Sequence, residues 1–139
     1  MLQITILMVG KTREAFIQEG VAFYEKRLKP FMKLTLKSVR EAKEAGNLSP
    51  ETLMRREGER LQAQIPPRSY VAALDPKGRG FYSEEFAAWL TKREVEARPL
   101  TFLIGGHWGL GPGLLDQAHE RLALSRLTLT HELSRLVLL

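Results

Sequence analysis

The stretch Phe102-Leu-Ile-Gly-Gly-His-Trp-Gly-Leu-Gly-Pro112 joins an apolar run to a sudden concentration of glycine. The apolar segment 100–104 is short and continuous, which predicts a buried strand. Glycine is favoured where the backbone takes positive φ or where another group approaches it closely. Two interpretations of residues 105–111, the glycine loop, therefore stay open. It is a tight turn between a strand and a helix, or it lets a ligand approach the backbone.

The segments around the glycine loop predict an alternation of strands and helices. Further strands are predicted at 2–9, 33–40, 69–74 and 125–129. Helices are predicted over 13–28, from Ser49-Pro50 to Pro66, after a capping Ser83, from Pro112 through Leu122 and after a capping Thr130. The tetrapeptide Asp75-Pro76-Lys77-Gly78 predicts a turn. This alternation is typical of a single α/β domain over 1–139, with a mostly parallel sheet covered by helices.

The composition of the chain excludes several classes of protein and of site. The chain has 139 residues, of which 44% are hydrophobic and 27% charged, as in ordinary globular domains. It has no cysteine, which excludes disulfides and thiolate chemistry and argues against a zinc site; no metal site is predicted. No apolar run is long enough for a transmembrane helix, so a cytoplasmic location is expected. The polar segment 41–50 is the best candidate for a mobile loop.

The charge is uneven along the chain. The net charge of +5 favours an anionic partner, and nucleic acid is the commonest case. We call the cations between residues 26 and 43 the basic segment: Lys26, Arg27, Lys29, Lys33, Lys37, Arg40 and Lys43. A solvated basic face and a contact with RNA phosphates both explain it, because charge patterns are weak evidence.

The position of the glycine loop favours a binding site. In open α/β sheets, ligands bind beyond the carboxyl ends of the strands. The glycine loop and the segment Leu74-Asp75-Pro76 both follow predicted strands, so together they can form one crevice. The loop reads G-G-x-x-G-x-G, which does not match the G-x-G-x-x-G of dinucleotide-binding folds. A Rossmann dinucleotide site is therefore not predicted.

Three separated segments resemble signatures of one family. They are Leu74–Ala87, Phe102–Leu110 and Leu124–Arg135, and their order and spacing match over essentially the whole chain. The family is the SPOUT class of methyltransferases, specifically those that methylate N3 of a pseudouridine in large-subunit ribosomal RNA. The resemblance implies an α/β fold with a C-terminal trefoil knot, which periodicity does not reveal. It also implies a homodimer acting on 23S rRNA or the ribosome, with each active site completed by the partner chain.

The resemblance further implies S-adenosylmethionine as cofactor. The residues that match its contacts are Leu74, Gly105, Gly106, Leu124, Ser125, Arg126, Leu127, Thr128 and Leu129. Their types suit the cofactor, because leucines provide an apolar slot for adenine and glycines let the loop approach without a Cβ clash. The sulfonium is already an activated methyl donor, so the protein mainly positions it.

The third segment also contains the candidate catalytic residues, His131 and Arg135. His131 begins the last predicted helix, where the helix dipole lowers a histidine pKa and favours a neutral imidazole; a purely structural role stays open. Arg135 is expected to hold an RNA phosphate or the partner chain. In the glycine loop, His107 reads as a surface substitution. Trp108 either stacks on a base or packs in the dimer interface.

The sequence departs from the family pattern after Arg135. The family continues with a longer helix and a basic tail, whereas this sequence ends in the apolar run 136–139. We expect this run to be buried against a partner subunit, or the chain to be shortened. Two alternatives to a methyltransferase follow. One is a catalytically impaired SPOUT-like module that binds RNA or the ribosome; the other is a basic RNA-binding factor without a cofactor.

Overall fold

The computed structural model describes residues 1–43 and 48–139. The strands are β1 Leu2–Val9, β2 Met32–Val39, β3 Tyr70–Gly80, β4 Leu100–Ile104 and β5 Glu120–Ala123. The helices are α1 Ala15–Leu28, α2 Pro50–Gln62, α3 Ser83–Val95, α4 Pro112–Gln117 and α5 His131–Leu138. The centre of the predicted mobile loop, 44–47, lies outside the described residues. No helix in the described ranges is long and apolar enough to cross a membrane.

The strands form one sheet in the order β2-β1-β4-β3-β5. Every neighbouring pair is parallel, which confirms the predicted fold class. Because parallel strands point the same way, their carboxyl ends share one edge of the sheet. This places the glycine loop, which follows β4, between the ends of β1 and β3.

Helices cover both faces of the sheet. Alternate side chains of β1 point to opposite faces: Ile6 packs in a cluster with Trp89 of α3, and Val9 packs in a second cluster with Leu61 of α2. The last residues, Leu138 and Leu139, also pack against the first cluster. The apolar end of the sequence therefore contacts the chain's own sheet. The trefoil knot implied by the resemblance stays a prediction.

The last strand is not where the periodicity places it. Residues 125–129 form a loop, and β5 is Glu120–Ala123, which includes Leu122 from the predicted helix. Pairing with β3 decides this: His119 N–H donates to Val71 O at 2.9 Å, and Val71 N–H donates to His119 Nδ1 at 3.0 Å. The pairing buries Leu122 to 2% exposure and leaves Leu127 at 76%. Tertiary pairing therefore overrides the local apolar pattern.

The predicted turn at 75–78 is also wrong. These residues lie within β3 as a bulge, because Leu74 and Arg79 are both opposite Leu122 of β5. A Cβ placed on Gly78 would lie 2.6 Å from the backbone of Arg121, so only glycine fits this approach. Within the bulge, Lys77 N–H donates to Asp75 Oδ1 at 3.0 Å. The turn-forming residues therefore shape a bulge in the strand.

Helix boundaries follow the predicted caps in two cases. Ser49 Oγ accepts from Thr52 N–H at 3.2 Å, and Thr130 Oγ1 accepts from Leu133 N–H at 3.1 Å, which confirms both caps. Ser83 is instead the first residue of α3, and Tyr82 precedes it as the cap. The helix α2 ends at Gln62, earlier than the proline pair predicts.

Candidate active site

A cavity of about 640 Å³ opens at the carboxyl edge of the sheet. Its walls come from three segments that are distant in sequence: residues 74–76 in β3, the glycine loop and residues 124–131 before and at the start of α5. Small-molecule sites typically measure about 300–1,000 Å³ and sit at such strand ends. The cavity is therefore the candidate site.

The cavity brings together the residues that match cofactor contacts, with one exception. Those that line it are Leu74, Gly105, Gly106, Leu124, Ser125, Leu127, Thr128 and Leu129. Arg126 belongs to the same loop but is exposed and is not part of the wall. Residues 125–129 lie outside the strands, so their amides and carbonyls are not committed to a ladder.

Of the two interpretations of the glycine loop, the structure confirms the tight turn, and the approach of a ligand stays a prediction. In this turn, Gly109 takes φ +80° and its N–H donates to Gly106 O at 3.0 Å. A Cβ on Gly105 would lie 2.5 Å from the carbonyl carbon of Gly109, so the loop approaches itself. This contact within the chain is enough to explain why residue 105 is glycine. The turn packs tightly enough to form a rigid cavity wall.

His131 lines the cavity as the first residue of α5 and is half-buried. Burial lowers its pKa below the ordinary value of 6.5, and the neighbouring Arg135 guanidinium lowers it further. The direction agrees with the expectation of a neutral imidazole, although the leading cause is burial rather than the helix dipole. A neutral imidazole facing the cavity can accept a proton.

Arg135 does not reach the cavity. Its side chain is 2% exposed and donates to Thr12 Oγ1 at 2.8 Å and to Val9 O at 2.7 Å, at the end of β1. These contacts within the chain do not favour an RNA phosphate as the partner of Arg135, and a contact with the partner chain stays a prediction. It attaches α5 to the segment that follows β1.

Glu132 makes a second attachment that the sequence does not reveal. Its Oε1 accepts hydrogen bonds from the backbone N–H groups of Arg13 and Glu14, both at 3.0 Å, at the start of α1. The Glu14 bond is the main reason why the pKa of Glu132 lies below its ordinary value. Because 118 positions separate Glu132 from Glu14, no local pattern predicts the contact. Glu132 and Arg135 together hold α5, and with it His131, against the end of β1.

Glu57, in the tripeptide Glu57-Gly58-Glu59 that also resembles the family, lies next to the glycine loop. It lies on α2, is 5% exposed, and accepts from Ala42 N–H at 3.1 Å through Oε2. Its Oε1 has no hydrogen-bond partner among the described residues, and burial raises its pKa. A Cβ placed on Gly106 would lie 3.4 Å from this oxygen. This Glu57 oxygen therefore lies close to the glycine loop.

The other sequence candidates fall outside the cavity or on its rim. His107 and Trp108 are cavity-lining residues of the glycine loop, whereas the cations of the basic segment are exposed away from the cavity. Lys33 and Lys37 lie on β2, an edge strand, where lysine discourages pairing with other chains. His119 is exposed as expected but follows α4 instead of lying within it. In the described ranges, no three His, Asp or Glu side chains are grouped closely enough to hold a metal ion.

Comparisons with known proteins agree with this arrangement. The family model described as "Predicted SPOUT methyltransferase" matches residues 2–139. A protein of Carboxydothermus hydrogenoformans named "Ribosomal RNA large subunit methyltransferase H" is 42% identical, over 99% of this chain and 89% of its own length. Its namesake in Listeria monocytogenes is 40% identical over the same shares, and "Ribosomal RNA large subunit methyltransferase H 1" of Thermoanaerobacter pseudethanolicus is 37% identical, over 99% and 92%. The chain belongs to the SPOUT methyltransferase family.

Proposed function

We propose that this protein transfers the methyl group of S-adenosylmethionine to N3 of a pseudouridine in 23S ribosomal RNA. The observation that carries the proposal is the shared cavity, in which three distant segments bring leucines, the rigid glycine turn and a neutral histidine together. The names of the relatives support ribosomal RNA as the substrate. Such a substrate places the reaction in the cytoplasm.

The cavity fits the proposed cofactor in size and chemistry. Leu124, Leu127 and Leu129 offer apolar surface for adenine. Leu127 N–H donates to Ser125 Oγ, so we assign the other backbone groups of 125–129 to the edge of adenine. The bound cofactor supplies an activated methyl group on a sulfonium. We assign Leu74, Gly105 and Gly106 to the opposite wall, which closes around the ribose and methionine parts.

We assign His131 as the base that accepts the proton of the methylated nitrogen. The methyl transfer would break the bond between the methyl carbon and the sulfonium sulfur, leave that sulfur as a thioether, and form one C–N bond at the ring nitrogen. The proton that this N–H group loses must be accepted by a base. Burial and the nearby Arg135 keep His131 neutral near physiological pH, and its imidazole faces the cavity. Arg135 acts through His131 as a positioning residue, because its own nitrogens bind Val9 and Thr12.

We also propose a homodimer that binds RNA through exposed cations. The net charge of +5 and the exposed basic segment favour contact with phosphates. Lys33 and Lys37 have a second explanation as edge protection, so they carry less of this argument than Arg126, which is exposed on a cavity-forming loop.

Two measurements test the proposed function. Calorimetry with S-adenosylmethionine tests the cofactor site, and radioactive methyl transfer to large ribosomal subunits that lack the modification tests turnover. Mass spectrometry of the product then locates the methyl group on N3. Cofactor binding without methyl transfer would favour the alternative of an inactive SPOUT-like binding module. Failure of both would favour a basic RNA-binding factor.

A further inference from the structure

Trp108 is exposed at the mouth of the cavity. Its side chain is 43% exposed and lines the cavity wall, at the tip of the glycine loop. The other tryptophan, Trp89, is 7% exposed and stacks on Phe86 with ring centres 5.7 Å apart. Apolar surface left in water forgoes about 25 cal/mol per Å² of burial. Trp108 therefore leaves apolar surface in water that Trp89 buries.

The turn fixes the backbone on both sides of Trp108. Gly109 N–H donates to Gly106 O at 3.0 Å, and these two residues also form an antiparallel bridge around Trp108. The His107 ring meets the indole edge-to-face, with centres 4.8 Å apart and an interplanar angle of 80°. An exposed aromatic side chain that lines the cavity offers a surface on which a planar ring can stack.

The proposed reaction needs such a surface. A base that receives a methyl group inside a protein cavity must leave its stack in the RNA, which costs a few kcal/mol. Stacking on an aromatic side chain returns about 1–3 kcal/mol per base. We propose that Trp108 is a substrate-binding residue on which the acceptor nucleobase stacks as it enters the cavity. This inference rests on the proposed function and names the residue that receives the base.

The test compares Trp108→Ala and Trp108→Phe with Tyr82→Ala. Tyr82 is 79% exposed and does not line the cavity, so its variant controls for loss of any exposed aromatic. Loss of 1–3 kcal/mol corresponds to an increase of about 5- to 150-fold in the KM for the ribosomal substrate. We expect Trp108→Ala to show this increase while its calorimetric Kd for S-adenosylmethionine stays within about twofold. Trp108→Phe should recover most of the loss, and Tyr82→Ala should match the wild type.

The outcomes separate this inference from the proposed function. An unchanged KM for Trp108→Ala in an active enzyme would overturn the stacking role and leave the proposed function intact. Dissociation of a dimer by Trp108→Ala, measured by sedimentation, would also overturn it and assign the indole to a subunit interface. If the wild type binds the cofactor but methylates no ribosomal RNA, the proposed function itself fails, and the stacking inference fails with it.

Discussion

Glu132 attaches α5 to the start of α1, and we expect its loss to lower the free energy of unfolding. Glu132→Ala removes the oxygen that accepts from Arg13 N–H and Glu14 N–H, both at 3.0 Å. Loss of a capping acceptor costs about 0.5–2 kcal/mol, and loss of a negative charge near a helix start costs about 0.3–1 kcal/mol. Because Glu132 is only half-buried, we expect a loss of about 1–2 kcal/mol in the free energy of unfolding at pH 7.

The pH dependence of this loss gives a sharper test. The pKa of Glu132 is lower in the folded chain than its ordinary value of 4.5. Its contribution is therefore fully present above pH 4.5 and is lost as the pH falls through the folded pKa. The difference in unfolding free energy between the wild type and Glu132→Ala should shrink over that interval.

Urea unfolding at several pH values measures both quantities. Glu132→Gln keeps an acceptor oxygen and should lose less stability than Glu132→Ala at pH 7. Glu84, an acidic residue in the first turn of α3, provides the control. Glu84→Ala removes a similar charge, so it separates the two hydrogen bonds from the dipole effect. Equal losses for the two alanine variants, or a loss for Glu132→Ala that does not change below pH 4.5, would refute the attachment.

Three further predictions concern the cavity and the sheet. His131→Ala should reduce the rate of methyl transfer far more than the affinity for the cofactor. In the wild type the rate should fall below pH 6.5, because the pKa of His131 is lowered, and the variant should lose this fall. Equal losses in rate and in cofactor affinity would contradict a catalytic role. Gly105→Ala should weaken the binding of S-adenosylmethionine, measured by calorimetry, at least about tenfold, because the new Cβ would lie 2.5 Å from the Gly109 backbone. Gly113→Ala is the control, since a Cβ there has no atom within 4 Å and binding should be normal. His119→Ala should lower the urea midpoint, because Val71 N–H loses its acceptor. Since the pKa of His119 is also lowered, this contribution is present above pH 6.5 and lost as the pH falls; a constant difference would argue against it.

Local pattern predicted most elements because their apolar residues repeat with a clear period. The continuous run 100–104 became β4, and the capping hydroxyl of Thr130 marks the start of α5. The motifs also predicted which loops meet, since parallel strands bring their carboxyl ends to one edge. Leu74, Gly105 and Leu129 consequently line one cavity.

Contacts between distant segments decided the rest. Pairing with β3 selected Glu120–Ala123 as the last strand and left Ser125, Leu127, Thr128 and Leu129 to line the cavity. Arg135 and Glu132 bind backbone groups at the end of β1 and the start of α1, and these partners are identified only when the chain is folded. The sequence alone thus determined the α/β class, because this class depends on short-range periodicity, and its motifs predicted the segments that line the cavity. Only the tertiary structure decided how Arg135 is buried, because its backbone acceptor, Val9 O, lies 126 positions away in the sequence.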